Sequence, residues 1–500
     1  MARSTWHQSC DHGVGEENHF MKKTIQLLLL AISLEFSVYA QVPWPDPAHL
    51  ASSELSNNAS IITNWLPYVV GHHVVVNSVL SLPEVYKNIG FADVNGDGYP
   101  DLCFLDTVLN EDGWVPGPNP DGTFNRAYSA TPILKCALGW LASPFNIQFA
   151  APTVWDADAH GFLLEQPPST WGQFDESIQF VDLNGDGKAD ACSVWASHAA
   201  IKCVASNGSS FVNTGVFVQN TKQMYGSEYA DTADAVRFVD LNHDGKTDVC
   251  MRVPTGMKCA LSDGSNFGQS TLWSADFSDS NGWGASPAYW STIQFGDLNG
   301  DGLPDVCGRS PAGITCAINN GQGFLRSWLW TTQFSDAAGW NQPQYYSTIR
   351  LADVNGDGRA DVCGRGSAGI YCARSGGVFF GDPWTLRLPE FSDANGWNQE
   401  PSYRSLWLVD VNNDGRADVC GRGTLGIWCA LSTASFDPSF SPSQLTVSNF
   451  GDNYSWGTQD YYWSTVRPIH GSPQQVPMTA FCGRGGAGIW CSSFFFRPTL

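Results

Sequence analysis

One segment recurs six times along the chain, and that recurrence limits the fold more than any local pattern does. The copies are Phe91-ADVNGDGYPD-Leu102, Phe180-VDLNGDGKAD-Ala191, Phe238-VDLNHDGKTD-Val249, Phe295-GDLNGDGLPD-Val306, Leu351-ADVNGDGRAD-Val362 and Leu408-VDVNNDGRAD-Val419. Each is followed at once by a cysteine: Cys103, Cys192, Cys250, Cys307, Cys363 and Cys420. A seventh, degenerate copy keeps Cys482 in Cys-Gly-Arg-Gly but has lost the acidic loop. Every repeat holds a second cysteine: Cys136, Cys203, Cys259, Cys316, Cys372, Cys429 and Cys491. Successive second cysteines lie 67, 56, 57, 56, 57 and 62 residues apart, so the period is close to 57. Self-similarity at such a period means a supersecondary unit that buries its apolar surface only against its neighbours.

Inside a unit, short runs of alternating hydrophobicity are separated by Gly, Asp, Asn and Pro, the pattern of strands joined by turns. In the sixth copy strand A is expected over about 405–411, strand B over 417–421, strand C over 426–432 and a fourth strand near 443–448. Four short strands per unit make a propeller blade, and seven units close a ring without exposed edges. The expected fold is all-β: a seven-bladed β-propeller of four-stranded blades over 90–500. The lead-in 41–89 should supply the ring-closing strand, at Val74–Leu82, to a seventh blade that stops soon after its strand C.

The cysteines read as one disulfide per blade. Cys363 and Cys372 flank eight residues, so a turn centred on Ser367-Ala368 sets them opposite each other, within reach of a disulfide. Zinc is the rival, but the pairs lack the short Cys-x-x-Cys spacing. In the first repeat Cys103 and Cys136 enclose an insertion, 104–135, rich in Pro, Gly and Asn and expected to be a surface loop. Cys10 is left over. It lies upstream of a basic Met21-Lys22-Lys23, an apolar run and a small-residue exit at Ala40, the marks of a secretory signal peptide. Residues 1–40 are therefore read as an N-terminal extension and signal peptide, and the mature protein as secreted. Oxidised cysteines suit that compartment. Asn58, Asn207 and Asn453 open N-glycosylation sequons.

Each acidic copy reads D-x-N-x-D-G-x-x-D, which spaces hard oxygen donors as in the first nine positions of a calcium loop. The expected ligands are Asp93, Asn95, Asp97 and Asp101; Asp182, Asn184, Asp186 and Asp190; Asp240, Asn242, Asp244 and Asp248; Asp297, Asn299, Asp301 and Asp305; Asp353, Asn355, Asp357 and Asp361; and Asp410, Asn412, Asp414 and Asp418. Up to six structural Ca2+ ions follow. The flanks read as strands and position 12 is never Glu, so these are not EF-hands. An ordinary Asx turn is the alternative for one loop, and six identical spacings weigh against it.

In its φ-D-φ-N-G-D-G-x-x-D-φ segments the chain resembles the FG-GAP/VCBS class of β-propellers, the fold of the integrin α-subunit head. It is most similar to secreted seven-bladed lectins of the mushroom Psathyrella velutina type. The likeness extends to Phe391-SDANG-Trp397 before a loop and Asp418-VCGRGTLG-Ile427 after it, although those lectins carry Gly-Phe-Gly where this chain has Cys-Gly-Arg.

The resemblance implies a calcium-stabilised, lectin-like protein with glycans or glycoproteins as partners. Strand parity puts the B–C turns and the D–A connections on the face opposite the acidic loops. Rim sites between blades would then use Asp279, Trp283, Arg309, Asp336, Trp340, Arg365, Asp393, Trp397 and Arg422, with Trp as the sugar plate. The competing role is packing, each Trp wedged between blades and each Arg paired with a nearby Asp. Packing is the commoner role for a single Trp. An adhesion ring contacting a protein through 104–135 is the alternative function. A glycan-active enzyme ranks below both, since no H-E-x-x-H, G-x-S-x-G or P-loop occurs. The formal charge of −22 disfavours nucleic acid, and no stretch is long enough to span a bilayer.

Overall fold

In the computed structural model the described residues are 49–52, 66–70, 73–78, 89–114, 126–143, 146–156, 177–195, 200–220, 236–381, 385–433, 439–457, 460–470, 479–485 and 488–493. Residues 1–40, read from the sequence as an N-terminal extension and signal peptide, lie outside them. The fold is a seven-bladed propeller of four-stranded antiparallel sheets. Blade 5 is representative: Arg350–Ala352, Asp361–Gly366, Gly369–Ala373 and Thr385–Leu388 pair in chain order as strands A to D. Its B–C turn is Ser367-Ala368, between the paired Gly366 and Gly369. In every blade the two cysteines are direct cross-strand partners, with Cα atoms 4.0–4.2 Å apart, and all seven disulfides are formed.

The ring closes through a strand other than the expected one. His49–Ser52 pairs antiparallel with Gly488–Ser493 and supplies the fourth strand of blade 7. The segment expected to do this instead forms His73–Ser78, hairpinned with Leu66–Val70 and attached to the first blade at Val74↔Tyr128 and Val75↔Ala127. The apolar run Val74–Val76 is equally fit for either edge, so hydrophobic pattern alone does not decide the partner. The insertion also departs from the surface loop expected. Strands Asp101–Trp114 and Arg126–Ala137 continue the B–C hairpin of blade 1, paired out to Trp114↔Arg126 with a shift of register between Glu111 and Gly113.

Hydrophobic burial sits between blades. Seven clusters occur, each drawing on two neighbouring blades. The one joining last to first packs Ile469, Ala480 and Ile489 against Leu102 and Phe104. Among the described residues no cluster is confined to one blade, as expected of repeats that bury their apolar surface against neighbours.

Leu50→Pro, in the strand that pairs with Gly488–Ser493, should lower stability in chemical unfolding, by up to about 3 kcal/mol. Val75→Pro, in the peripheral hairpin, should leave the main transition in place. A larger loss from Val75→Pro than from Leu50→Pro would reverse the assignment of the closing strand.

Candidate functional site

Two sets of repeated residues lie at opposite ends of strand A. At one end are the acidic A–B loops. Position 1 of each acts as a hub: Asp93 accepts the N–H groups of Gly96 (2.7 Å), Asp97 (3.1 Å) and Gly98 (2.7 Å). Gly96 and Gly98 hold φ of 79° and 86°, which glycine takes without strain; His243 and Asn413 fill the first of these positions in two blades at φ 58°. The Asx turn and the cation-loop spacing are thus one geometry here.

Position 9 is fully buried in all six loops. Asp361 accepts Val354 N (3.3 Å) within its loop and Ser375 N (2.7 Å) from the turn after strand C. Ser375 in turn donates to Leu298 O of the preceding blade at 2.6 Å. Asp101, Asp190, Asp248, Asp305 and Asp418 are bound in the same way by two backbone N–H groups. Burial pushes these carboxyls up, to about 7 for Asp101, Asp361 and Asp418 and about 6 for the other three, against the pull of those donors. Among the described residues no three His, Cys, Asp or Glu side chains are gathered into a metal cluster. The loops also touch each other, as in Ala360 N to Asp297 O (2.6 Å) and Ala417 N to Asp353 O (2.8 Å).

At the other end, the D–A connections hold the residues expected to bind sugar, and the structure gives most of them a different task. Trp283, Trp340 and Trp397 are only 5–6 % exposed. Each lies across a glycine on strand B of the following blade. A Cβ at Gly308, Gly364 or Gly421 would sit 2.5, 2.9 or 2.6 Å from Trp283, Trp340 or Trp397. Trp456 covers Gly483 in the same manner. Each Trp also packs on the Phe opening its own connection, at 4.8 Å for Phe277, 4.5 Å for Phe334 and 4.4 Å for Phe391. A sugar cannot stack on faces that protein already covers, so these tryptophans are corrected from sugar plates to wedges.

The arginines are corrected too. Arg309, Arg365 and Arg422 are essentially inaccessible. Arg309 donates to Phe334 O (2.8 Å) and Ala288 O (3.2 Å) and pairs with Asp336. Arg365 pairs with Asp393 at 2.6 Å, and Arg422 pairs with Asp452. Arg252, which the sequence reading passed over, does the same for Asp279. Each connection is thereby tied back to the blade it leaves by Arg–Asp and forward to the blade it enters by Trp on Gly.

What stays accessible is the outer side of the carboxylates: Asp279, Asp336, Asp393 and Asp452 keep 28–49 % of their side-chain surface. Tyr289 donates its hydroxyl to Asp336 (2.7 Å) and Tyr345 to Asp393 (2.6 Å), while their rings lie beneath Arg309 and Arg365. Burial first, and then the carboxylate, push both phenols up. The sequence signal for this arrangement is a pairing across repeats. Gly follows the first Cys only in blades entered through F-x-x-x-x-G/S-W, and Arg stands there in the four blades left through such a segment, and in blade 7.

Residues 297–364 match the FG-GAP-like repeat family. Among curated proteins none matches the chain. Of solved structures, an Agrocybe aegerita lectin that recognises non-reducing terminal N-acetylglucosamine is similar at 22% identity and TM-score 0.53, over 67% of this chain and 82% of that one. The Photorhabdus luminescens Tc holotoxin pore is similar at 18% identity and TM-score 0.39, over 80% of this chain and 15% of that one.

Trp397→Ala should destabilise the fold by about 3–5 kcal/mol, the range for emptying a buried aromatic site. Asp393→Ala should cost about 2 kcal/mol, because it strands the Arg365 guanidinium in a buried site while the lost carboxylate was itself part-exposed. Adding Arg365→Met to Asp393→Ala should recover part of that loss. Denaturant titrations check all three, and additive costs in the double variant would show that the two residues do not act as a pair.

Proposed function

We propose that the protein is an extracellular carbohydrate-binding propeller with one rim site at each Arg–Asp joint. The observation that carries this is the repetition, at four blade boundaries, of a part-exposed carboxylate fixed from behind by a buried guanidinium. A carboxylate held in one orientation accepts two sugar hydroxyls without losing side-chain entropy on binding. The half-buried Trp290 and Tyr346 follow Tyr289 and Tyr345 in the chain and are the aromatic faces left for a sugar ring. Equivalent weak sites around a ring act together on a multivalent glycan. Likeness to the Agrocybe aegerita lectin propeller supports the same reading, as do seven disulfides and the exposure of the sequon residues Asn207 and Asn453. No helix among the described residues is long and apolar enough to cross a membrane. The reading is of a binder, not a catalyst, and no nucleic-acid partner is proposed at a net charge of −22.

Calcium belongs to this proposal as a structural ion. The loops offer oxygen donors only, and Asp93, Asn95, Asp97 and Asp101, with their equivalents, would hold it. Such an ion favours the ionised form of the raised position-9 carboxyls and steadies loops that touch both their own and the neighbouring blade. A second reading, adhesion to a protein, is favoured by the long hairpin of blade 1, the largest departure from the seven-fold pattern.

A glycan array probed in millimolar calcium tests the first reading. Binding should appear and should fade in Asp336→Asn combined with Asp393→Asn, whose fold should persist with a lowered melting temperature because Arg309 and Arg365 lose their charge partners. A blank array from folded protein would end the carbohydrate reading and favour the hairpin as the contact element. Separately, EDTA should lower the melting temperature by several degrees, and Asp357→Ala should reproduce part of that drop. An unchanged melting curve would remove calcium from the account.

A further inference from the structure

The acidic A–B loops differ from blade to blade at position 7. In blades 2, 3, 5 and 6 it is a base, Lys188, Lys246, Arg359 or Arg416, and in blades 1 and 4 it is Tyr99 or Leu303. In every loop Oδ1 of the position-5 Asp accepts the position-7 N–H at 2.9–3.0 Å, which leaves Oδ2 for another partner. The base takes that oxygen within its own loop: Lys188 Nζ reaches Asp186 at 2.9 Å, Lys246 Nζ reaches Asp244 at 3.0 Å, Arg359 reaches Asp357 at 2.7 Å, and Arg416 pairs with Asp414. In blades 1 and 4, Oδ2 of Asp97 and of Asp301 receives the neutral side-chain amide of Asn95 or Asn299 at 2.9 Å, and among the described residues no charged donor.

The stem of each base is seated on the loop before it. A Cβ at Gly96, Gly185, Gly300 or Gly356, the position-4 glycines of blades 1, 2, 4 and 5, would sit 3.0, 3.4, 3.4 or 3.1 Å from Cγ of Lys188, Lys246, Arg359 or Arg416. In blades 3 and 6 position 4 is His243 or Asn413, each in a left-handed turn at φ 58°. The loop after His243 has Leu303 in place of a base, and the blade after Asn413 has no acidic loop. Glycine at position 4 therefore goes with the room a neighbouring stem needs, since the turn itself accepts a side chain where no stem arrives. The six loops form two strings of three, blades 1 to 3 and blades 4 to 6. Each string is headed by a loop without a base of its own.

We propose that these strings make two classes of calcium site: the loops of Asp93 and Asp297 bind tightly, and the other four bind at least about tenfold more weakly. The inference rests on the calcium reading of the loops. Three Asp give a base-free loop a formal charge of −3, and the position-7 base reduces it to −2. Affinity for calcium rises with the charge a loop supplies. A cation that uses the position-5 carboxylate must also expel the ammonium or guanidinium head or share the oxygen with a like charge. Asp97 and Asp301 carry no such head, and the Asn amide on them can turn its oxygen to the ion instead. While calcium is scarce, the seated bases neutralise position 5 and brace one loop against the next. Loops 1 and 4 are then the ones that depend on the ion.

The test uses the full chain, stripped of metal with EDTA and dialysed, and titrates Ca2+ by calorimetry at constant ionic strength, with thermal unfolding in parallel. The wild type should show two sites at least about tenfold tighter than the rest. Lys188→Met combined with Arg359→Met keeps a stem over Gly96 and Gly300 and removes both heads. It should raise the tight class from two sites to four and gain more melting temperature from calcium than the wild type does. A single class of sites in the wild type, or a tight class that the methionines do not enlarge, overturns the proposal. Should the double variant fail to fold, Tyr99→Lys makes the converse change: the tight class must fall from two sites to one, and an unchanged class counts against the assignment. Six equal sites would leave the calcium reading standing and end this inference alone. No heat and no melting shift with calcium would end both.

Discussion

A ring of repeated blades depends on its joints, because each blade has apolar residues on both faces and buries them only against its neighbours. Here the joint has two ends. At the loop end, a fully buried Asp at position 9 fixes the A–B loop to the turn after strand C, whose Ser or Asn reaches the previous blade. At the connection end, a buried Arg holds the departing chain by Asp and carbonyl oxygen while a Trp seals the next blade over a glycine. The seven disulfides lie inside blades, between strands B and C. They make each hairpin rigid and leave the joints to packing, hydrogen bonds and charge.

That division explains Cys-Gly-Arg. The three residues serve three partners: Cys363 its disulfide mate, Gly364 the ring of Trp340, and Arg365 the carboxylate of Asp393. Any side chain at Gly364 would collide with the wedge, and a shorter base than Arg365 would not span from strand B to the connection. Blades 1 and 2 have Phe104-Leu105 and Ser193-Val194 at the corresponding places and keep their joints through other contacts, such as Phe180 against Gly90.

Blade number, strand order, disulfide partners and loop positions were legible in the sequence because each is fixed by spacing: nine residues between cysteines admit one short turn, and a period near 57 admits four strands. The closing strand was not legible, since Val74–Val76 and His49–Ser52 both suit an edge and only long-range pairing separates them. The roles of Trp397 and Arg365 were half legible. Type and face were correct, but Trp, Asp and Arg are also the residues that recognise sugars, and composition cannot tell a covered ring from an open one. The pairing of Gly with an upstream Trp across repeats was the signal that could have decided it.

Location also bears on how ligands would act on such a ring. Anything that binds only the closed ring stabilises it by its binding free energy. No disulfide crosses the joints, so packing, hydrogen bonds and the D–A connections hold one blade to the next. Cations at the loops and sugars at the part-exposed carboxylates would each occupy groups that belong to the joint between two blades. Position 9 illustrates the coupling: its carboxyl titrates near neutrality because burial opposes the charge, so a cation nearby changes the protonation of a group that itself holds the joint.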